Sequence, residues 1–578
     1  MKPPPHLASL PETRLAREAR TTPASRARKT LADRLVVSLA EQGIDTYFGV
    51  PGGAIEPLFD AVARAQARGE ARVVPMRSEA GAAFAADGYY RETGRIAACL
   101  VTTGPGVSNL LTATMSAEAD RVPIFILTPQ AALHKEGRGA LQDSSMDGHD
   151  LPRALAACTR YSSVVSHVDQ LAHKLARALA LARGAPPGPV HLSLPSDILR
   201  APIGVGALSS FAPRAPARPL DWGALEQLAS ALFAAHAPLF YVGDDAGHGM
   251  FALFELAEAL GAAVVSSPAG KRWVGHREPR YRGVLGFSGH EAAQRAAAPA
   301  DLVVAFGATF DELSTNTWTV FPDVPIYAVD EHEQFAYRLR RARPVIGAAA
   351  TVLSELLRRL PDDPGPARPS PSQIRMRWPE ASDGPVHPAS LMRWLSEVLP
   401  DDVVVHVDAG NSFSWSTRDL VRGNPDTYRV AMGLSTMCWA ISAVIGACVG
   451  RSRRSVCVTG DGSMLMSSLE LTVAVEQQLP VTYVVLNDSG LGMVRHGQRL
   501  GGAEPIAHEI TPVRFDELAR ACGARGRRVE SCAELESTDL DWLSSDGGGP
   551  CVIDVCIDRE AIPPMADRVR GLAAGVPR

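Results

Sequence analysis

A strand that ends abruptly in a glycine turn is the most constraining feature of this chain. Residues 455–459 are uncharged and partly β-branched, which predicts a short buried strand that stops at Gly460-Asp461-Gly462-Ser463. A helical pattern follows, and then a second apolar strand over residues 481–486, which is succeeded by Asp488. Strand, helix and strand in this order form parallel neighbours joined by a right-handed crossover. The segment therefore predicts an open parallel α/β sheet, with Asp461 and Asp488 together at its carboxyl edge, where such sheets bind ligands.

Two neighbouring carboxylates repel each other unless a cation lies between them. Mg²⁺ prefers oxygen ligands and is usually held by one or two carboxylates together with substrate phosphates. The glycines beside Asp461 let the backbone approach a diphosphate closely. This Gly-Asp-Gly turn, with a second turn after the next strand, resembles the pattern of thiamine-diphosphate enzymes. The resemblance implies that Asp461, Asp488 and the main-chain carbonyl of Gly490 hold Mg²⁺; Asp488 stands where the family usually has Asn.

Helix and strand patterns alternate from Thr30 to Leu194, and the alternation recurs in two later blocks separated by Pro-rich stretches. The fold class predicted is α/β, with three doubly wound parallel-sheet domains of the thiamine-diphosphate enzyme fold. We expect a disordered leader (1–28), a pyrimidine-binding domain (29–200), a linker (201–220), a central domain (221–360), a second linker (361–388) and a diphosphate-binding domain (389–568).

The composition is that of an ordinary globular protein, with 46% hydrophobic and 21% charged residues. A net charge of −5 offers no case for nucleic acid as a partner. The nine cysteines are scattered and form no CxxC pair, which favours reduced thiols and a cytoplasmic protein. The least polar stretch, residues 431–450, contains many small residues and is expected to be a buried helix, so no membrane is implied.

Glu79 is the candidate catalytic residue of the first domain. It opens a predicted helix, where an isolated Glu is common because it is favoured in a first turn. Here it lies in Arg77-Ser78-Glu79-Ala80-Gly81, followed by Ala86-Asp87-Gly88-Tyr89. This segment resembles the one whose glutamate bonds N1′ of the aminopyrimidine ring in thiamine-diphosphate enzymes. The resemblance implies that Glu79 is buried, binds the cofactor and drives its proton relay.

Further motifs resemble those of acetolactate synthase catalytic subunits. They are a loop that approaches the thiazolium ring, a GPG-x-x-N turn, a loop with a second catalytic residue, Gln142, and a segment whose Met437 would force the cofactor into its bent shape. The cofactor-binding residues that the resemblance implies, besides Glu79, are Pro51, Gly52, Gly53, Gly104, Asn109, Gly433, Ser435, Met437, Gly460, Asp461, Gly462, Ser463, Asp488, Gly490, Leu491, Gly492 and Met493.

The resemblance implies that a 2-oxoacid loses CO₂ and that its acyl carbanion is transferred to a second carbonyl compound. No His-His pair occurs before Asp120, whereas simple decarboxylases of the superfamily typically use histidines there. We therefore expect a carboligase similar to acetolactate synthase, with a pyruvate-like donor. A non-oxidative decarboxylase that releases an aldehyde, and a catalytically silent cofactor-binding homologue, are the alternatives. The family also implies a homodimer or homotetramer with active sites shared between subunits.

Three positions depart from the family in the substrate channel: Ser196 replaces a lysine, Leu313 an arginine and Gly497 a tryptophan. Loss of the aromatic wall at Gly497 predicts a wider site and an altered acceptor. Arg495 and His496 are candidates to meet a substrate carboxylate, and solvated loop residues are the alternative.

FAD is a separate question, because the turn after the strand at residues 239–242 does not fit GxGxxG. With the arginine at Leu313 also missing, FAD is possible but not favoured.

Overall fold

The computed structural model describes residues 29–203, 220–247, 250–361, 374, 376, 378–379, 384–538, 549–566 and 568–569. The predicted leader, 1–28, and most of both predicted linkers lie outside the described residues. The described part contains three six-stranded sheets, and every strand pair in them is parallel. The predicted fold class is confirmed.

The first sheet has the strand order β2-β1-β3-β4-β6-β5. Its strands are β1 (Thr46–Gly49), β2 (Arg72–Pro75), β3 (Ala98–Leu100), β4 (Phe125–Gln130), β5 (Tyr161–Val164) and β6 (Val190–Pro195). The helices around it are α1 (Leu31–Glu41), α2 (Glu56–Ala67), α3 (Glu79–Thr93), α4 (Pro105–Ser108), α5 (Leu111–Ala119), α6 (Leu151–Ala156), α7 (Leu171–Ala182) and α8 (Ser196–Arg200). Ser78 caps α3 by accepting from the Gly81 amide, so Glu79 occupies the first turn.

The second sheet has the order β12-β11-β10-β7-β8-β9. Its strands are β7 (Pro238–Val242), β8 (Ala263–Ser266), β9 (Tyr281–Val284), β10 (Leu302–Phe306), β11 (Ile326–Asp330) and β12 (Ala342–Ile346). The α-helices described in this block are α9 (Trp222–Ala234), α10 (Met250–Leu260), α11 (Glu291–Ala297) and α12 (Ala349–Arg358).

The third sheet has the order β14-β13-β15-β16-β18-β17. Its strands are β13 (Val404–Val407), β14 (Tyr428–Arg429), β15 (Ser455–Gly460), β16 (Val481–Asn487), β17 (Arg525–Val529) and β18 (Cys551–Cys556). Its helices are α13 (Pro388–Val398), α14 (Asn411–Asp419), α15 (Trp439–Arg451), α16 (Asp461–Ser467), α17 (Leu471–Glu476), α18 (Gly492–Leu500), α19 (Phe515–Ala521) and α20 (Cys532–Glu536). β15 and β16 are adjacent, with Gly460 opposite Leu486, so the two predicted carboxylate turns leave the sheet side by side.

Helices α3 and α15 connect the first and third sheets through a close approach of their backbones. A Cβ atom at Gly88 would overlap the carbonyl of Ala443, and one at Gly446 would overlap the carbonyl of Ala85. The α15 residues from Trp439 to Val449 are all buried, as expected for this apolar stretch. In the described part of the chain, no helix combines the length and the apolar composition needed to cross a membrane.

The helix contact predicts that Gly446→Ala destabilises the protein. The added methyl group must push α15 away from the Ala85 carbonyl, and overpacking of this kind costs about 1–3 kcal/mol. Thermal unfolding should therefore show a lower Tm for this variant. Gly497→Ala is the matched control, because a Cβ atom in that helix would lie 3.6 Å from Met565 Cε, an ordinary contact. Equal Tm values for the Gly446→Ala variant and the wild type would contradict the proposed packing constraint.

Candidate active site

Three helices begin at the carboxyl edge of the third sheet and face one cavity of about 320 Å³. They are α14, α16 and α18, which start at Asn411, Asp461 and Gly492. The first residues of a helix carry unpaired backbone N–H groups and a partial positive charge, which together favour an anion. The cavity is therefore suited to a negatively charged group such as a diphosphate.

The cavity brings together most of the residues predicted from the third domain. Ser435, Met437, Gly460, Asp461, Gly462, Ser463, Asp488, Gly490, Leu491, Gly492 and Met493 all line it. Gly433 lies outside, on an adjoining cavity, where its amide donates to Asp120 Oδ1 at 2.7 Å. The side chain of Met437 lies next to the glycine turn: a Cβ atom placed at Gly462 would be 3.4 Å from Met437 Cε.

Asp461 and Asp488 are two carboxylates in a largely desolvated position. Asp461 Oδ1 accepts from the Gly462 amide at 2.7 Å, and Oδ2 accepts from the Gly490 amide at 3.1 Å. Burial, and secondly the charge of Asp488, raise the pKa of Asp461 to about 7, and burial raises the pKa of Asp488 to about 6. A cation between them would relieve both effects.

The donor set fits Mg²⁺ with help from the backbone. Among the described residues, no group of three or more His, Cys, Asp or Glu side chains could hold a metal ion. A site built on Asp461 and Asp488 therefore needs further oxygen ligands, such as the predicted carbonyl of Gly490 and the phosphates of a cofactor.

The glycines and Asn411 make the cavity wall suitable for close approach of a ligand. A Cβ atom at Gly460 would meet nothing within 4 Å, so this part of the turn is open. At Gly492 it would lie 2.5 Å from Asn411 Nδ2 and 2.6 Å from Asp488 Oδ2. Asn411 Oδ1 is buried and has no hydrogen-bond partner within the described structure. These features fit a bound diphosphate and its metal.

The residues predicted from the first domain form a separate cluster at the carboxyl edge of the first sheet. Glu79 Oε2 accepts from Asn109 Nδ2 at 3.0 Å. Gly104 has φ +65°, and a Cβ atom there would lie 2.7 Å from Gln142 Cβ. Gly52 approaches Thr102 in the same way. Pro51 and Gly53 are exposed, and a Cβ atom at Gly53 would meet nothing within 4 Å.

None of these first-domain residues is among those that line the 320 Å³ cavity, whose described walls come from the second and third domains alone. Glu79 is only half-buried in the single chain, short of the burial expected for its role. One chain thus presents two incomplete halves of the predicted site.

Arg495 and His496 are not among the described residues that line the cavity, and the interpretation of them as solvated loop residues was wrong. Arg495 Nη1 donates to the Arg559 carbonyl at 2.6 Å, and the same guanidinium pairs with Glu560. His496 is 2% exposed, and burial lowers its pKa. They belong to the buried side of α18, so they are not solvated loop residues; a contact with a substrate carboxylate stays a prediction.

Sequence reasoning missed several cavity residues from distant segments. Phe287 stacks on Phe413 with ring centroids 5.8 Å apart, and both line the cavity with Asn411. Arg568 lines it from the C-terminal segment, beyond the last strand. Only Asn411 carried a usable signal, a position shortly after an apolar strand; Phe287 and Arg568 belong to no motif.

The carboxyl edge of the central sheet borders a different cavity, of about 530 Å³. Among the described residues, seven carboxylates and four arginines line it, including Asp244, Asp245 and Asp330 at or just beyond strand ends. Arg121 pairs with Asp245, and burial raises the pKa of Asp330 to about 6. This excess of carboxylates opposes an anionic dinucleotide, so FAD stays an unfavoured prediction.

The carboxylate pair predicts that Asp488→Asn stabilises the metal-free protein at high pH. Both folded pKa values lie above the ordinary value of about 4, so stability is lost as pH rises through about 6 to 7 and the buried groups ionise. With EDTA present, the variant should therefore show a higher Tm than the wild type at pH 8. The difference in Tm between Asp488→Asn and the wild type should be smaller at pH 5, where both carboxyl groups are mostly protonated in the folded protein.

Asp169→Asn serves as the control, because that side chain is 80% exposed. A Tm difference for Asp488→Asn that is the same at pH 5 and pH 8 would show that the two carboxylates do not titrate as described.

Comparisons with known proteins find a family match for each of the three sheets. Residues 29–151 match the N-terminal TPP-binding domain of thiamine pyrophosphate enzymes, residues 225–356 their central domain and residues 408–555 their C-terminal TPP-binding domain. The acetolactate synthase isozyme 2 large subunit of Escherichia coli is 31% identical over 538 residues, which cover 91% of this chain and 95% of that protein.

Two further relatives extend the comparison to other organisms. The acetolactate synthase large subunit IlvB1 of Mycobacterium tuberculosis is 29% identical, over 92% of this chain and 88% of its own length. The mitochondrial acetolactate synthase catalytic subunit of Saccharomyces cerevisiae is 28% identical, over 92% of this chain and 81% of its own length. The chain belongs to the thiamine-diphosphate-dependent enzymes and, within them, is an acetolactate synthase-like enzyme.

Proposed function

We propose that this enzyme is a Mg²⁺-dependent carboligase, which decarboxylates a pyruvate-like 2-oxoacid and joins the remaining acyl group to a second carbonyl compound. The observation that carries the proposal is the cavity that combines the Asp461–Asp488 pair with Met437 and three helix starts. The first domain, which would supply the other half of the site, has no His-His pair before Asp120, where simple decarboxylases of the superfamily typically use histidines. This supports carbon–carbon bond formation over release of an aldehyde.

The proposed roles follow from where each residue lies. Bound thiamine diphosphate would supply the electron sink for decarboxylation. Asp461, Asp488 and the Gly490 carbonyl would hold Mg²⁺, and the helix starts would orient the diphosphate. Glu79, positioned by Asn109, would exchange a proton with the aminopyrimidine ring. The nine free cysteines are consistent with the proposed cytoplasmic location.

A complete site would form between two copies of the chain. The single chain separates the Glu79 cluster from the cavity of the third domain, so we propose that each active site joins the first domain of one subunit to the third domain of another, in a homodimer or homotetramer. Each half would then supply what the other lacks.

Mixing two inactive variants tests this sharing. Glu79→Gln and Asp461→Ala should each lose activity, but a heterodimer of the two has one site with both defects and one intact site. Co-expression with two different tags and tandem purification should therefore recover about half of the wild-type activity per heterodimer. An inactive heterodimer would place both residues in one site within one chain.

Glu79→Gln by itself tests the proposed proton transfer. The variant should bind thiamine diphosphate and Mg²⁺ nearly as tightly as the wild type, as measured by calorimetry, while kcat falls about 100-fold or more. Glu56→Gln is the matched control, because Glu56 opens α2 as Glu79 opens α3 but pairs with Arg200 at the surface. Full activity of Glu79→Gln would refute the assigned role.

Product profiling tests the reaction itself. The holoenzyme is incubated with pyruvate and a panel of larger 2-oxoacids and aldehydes, and the products are identified by mass spectrometry. An acyloin supports the carboligase, and we expect acceptors other than those of a strict acetolactate synthase. A free aldehyde as the sole product would select the decarboxylase, and no CO₂ release would select the silent homologue.

A further inference from the structure

We propose that Arg568 binds the carboxylate of a 2-oxoacid acceptor in this cavity and thereby distinguishes it from an aldehyde; this rests on the proposed carboligase function. Three charged side chains from the described residues line the cavity: Asp461, Asp488 and Arg568. The two aspartates are assigned to the metal. Arg568 is then the one cation, among those described residues, that can meet a substrate anion inside the cavity.

The guanidinium of Arg568 is held in place but not saturated. Its Nε and Nη2 atoms both lie 2.9 Å from a single oxygen, Oε1 of Glu312, and its Cζ lies 6.0 Å from the centre of the Phe287 ring. A guanidinium has five N–H donors in a planar fork, so donors remain for a second carboxylate. The side chains of Arg568 and Glu312 are 32% and 35% exposed, and ion pairs this accessible to water exchange partners at little cost.

The C-terminal segment that carries Arg568 is anchored against the cavity wall. Met565 is 4% exposed and packs in the core of the third domain. Ser288 Oγ donates to the Pro564 carbonyl at 3.0 Å and lies 2.7 Å from Ser414 Oγ. These contacts anchor residues 564 and 565, so Arg568 lies three residues beyond a fixed point of the fold.

Two departures from the family pattern meet at this segment. Leu313, where the family has an arginine, lines the cavity directly after Glu312, the residue that pairs with Arg568. Gly497, where the family has a tryptophan, faces Met565, whose Cε is the nearest atom to a Cβ placed at Gly497. A larger side chain at 497 would compete with Met565 for space. The chain thus lacks the arginine of the family pattern at position 313, and Arg568 from the C-terminal segment lies beside that position.

The chemistry of the acceptor gives this cation a selective role. The donor 2-oxoacid loses its carboxylate as CO₂, whereas a 2-oxoacid acceptor keeps its carboxylate through the reaction and into the product. An aldehyde acceptor has none. A guanidinium among the cavity-lining residues therefore favours the 2-oxoacid over the aldehyde.

The test compares Arg568→Gln with Arg393→Gln, with pyruvate as donor and either 2-oxobutyrate or propanal as acceptor. Arg393 is the matched control: its Nε lies 2.9 Å from Glu397 Oε1 and its Cζ 5.8 Å from the Trp378 ring, but it lines none of the cavities described above. Arg568→Gln should lower kcat/KM for 2-oxobutyrate about tenfold or more, mainly through KM, and leave propanal unchanged. Arg393→Gln should change neither. Equal losses for both acceptors, or no loss, overturn the proposal.

Glu312→Gln separates substrate binding from a structural ion pair. If Arg568 only stabilises the fold through Glu312, Arg568→Gln and Glu312→Gln should lower the activity equally and lower the Tm equally. If Arg568 binds the acceptor, Glu312→Gln frees its donors and should lower KM for 2-oxobutyrate, the opposite of Arg568→Gln. A matching loss in both variants therefore refutes the proposal.

A binding measurement keeps this result distinct from failure of the proposed function. Oxamate resembles pyruvate but is not decarboxylated, and its Kd for the holoenzyme can be measured by calorimetry. Arg568→Gln should raise that Kd about tenfold or more, while Arg393→Gln leaves it unchanged. If the wild type forms no acyloin, the carboligase is wrong, and the oxamate Kd still decides whether Arg568 binds a 2-oxoacid carboxylate. An unchanged Kd in Arg568→Gln rules that out.

Discussion

The backbone contact between α3 and α15 is the constraint on which the placement of both halves of the site depends. Small residues at Gly88 and Gly446 let the two helices meet without intervening side chains, and Trp439 Nε1 donates to Asp87 Oδ1 at 2.9 Å across the contact. Because α3 begins at Glu79 and α15 begins just after the loop with Met437, the contact fixes the two segments proposed to bind the cofactor relative to each other within one chain. Close packing tolerates little displacement here, since an added methyl group has no free volume to enter. The relative placement of the two half-sites within one chain is thus set by a contact that includes none of the proposed catalytic atoms.

The electrostatics of the cavity follow from its place in the sheet. Parallel strands direct their carboxyl ends to one edge, and the helices that follow direct their N-termini to the same edge. Asp461 and Asp488 bring negative charge to a place where the three helix starts favour it, yet burial still raises both pKa values. The helix dipoles alone do not compensate for the lost water. A divalent cation would do so, and it would also let a diphosphate approach two carboxylates that otherwise repel it.

The sequence predicted those parts of the site that depend on local structure. Asp461 and Asp488 follow adjacent strands, so pairing them needed only the rule for right-handed crossovers. The cofactor turns were recognised because each carries its motif within a few residues. Arg568 could not be found this way, since its position depends on how the C-terminal segment packs against Ser288 and Met565, contacts between residues far apart in sequence. The burial of Arg495 was missed for the same reason: the motif gave its place in the chain, but only the packing of α18 decides which face is buried.

The departures from the family pattern at Leu313 and Gly497 have one physical explanation, because both positions lie next to residues of, or paired with, the same C-terminal segment. Removing a tryptophan side chain at Gly497 would leave an unfilled volume, and unfilled apolar volume is costly. Met565 lies where that side chain would begin, so the volume is filled by the C-terminal segment instead. That same segment carries Arg568 to Glu312, next to the position where Leu313 has removed a cation. The loss of the aromatic wall would thus make room for the segment that carries Arg568, and the proposed acceptor site would keep a positive charge on a different element of the fold.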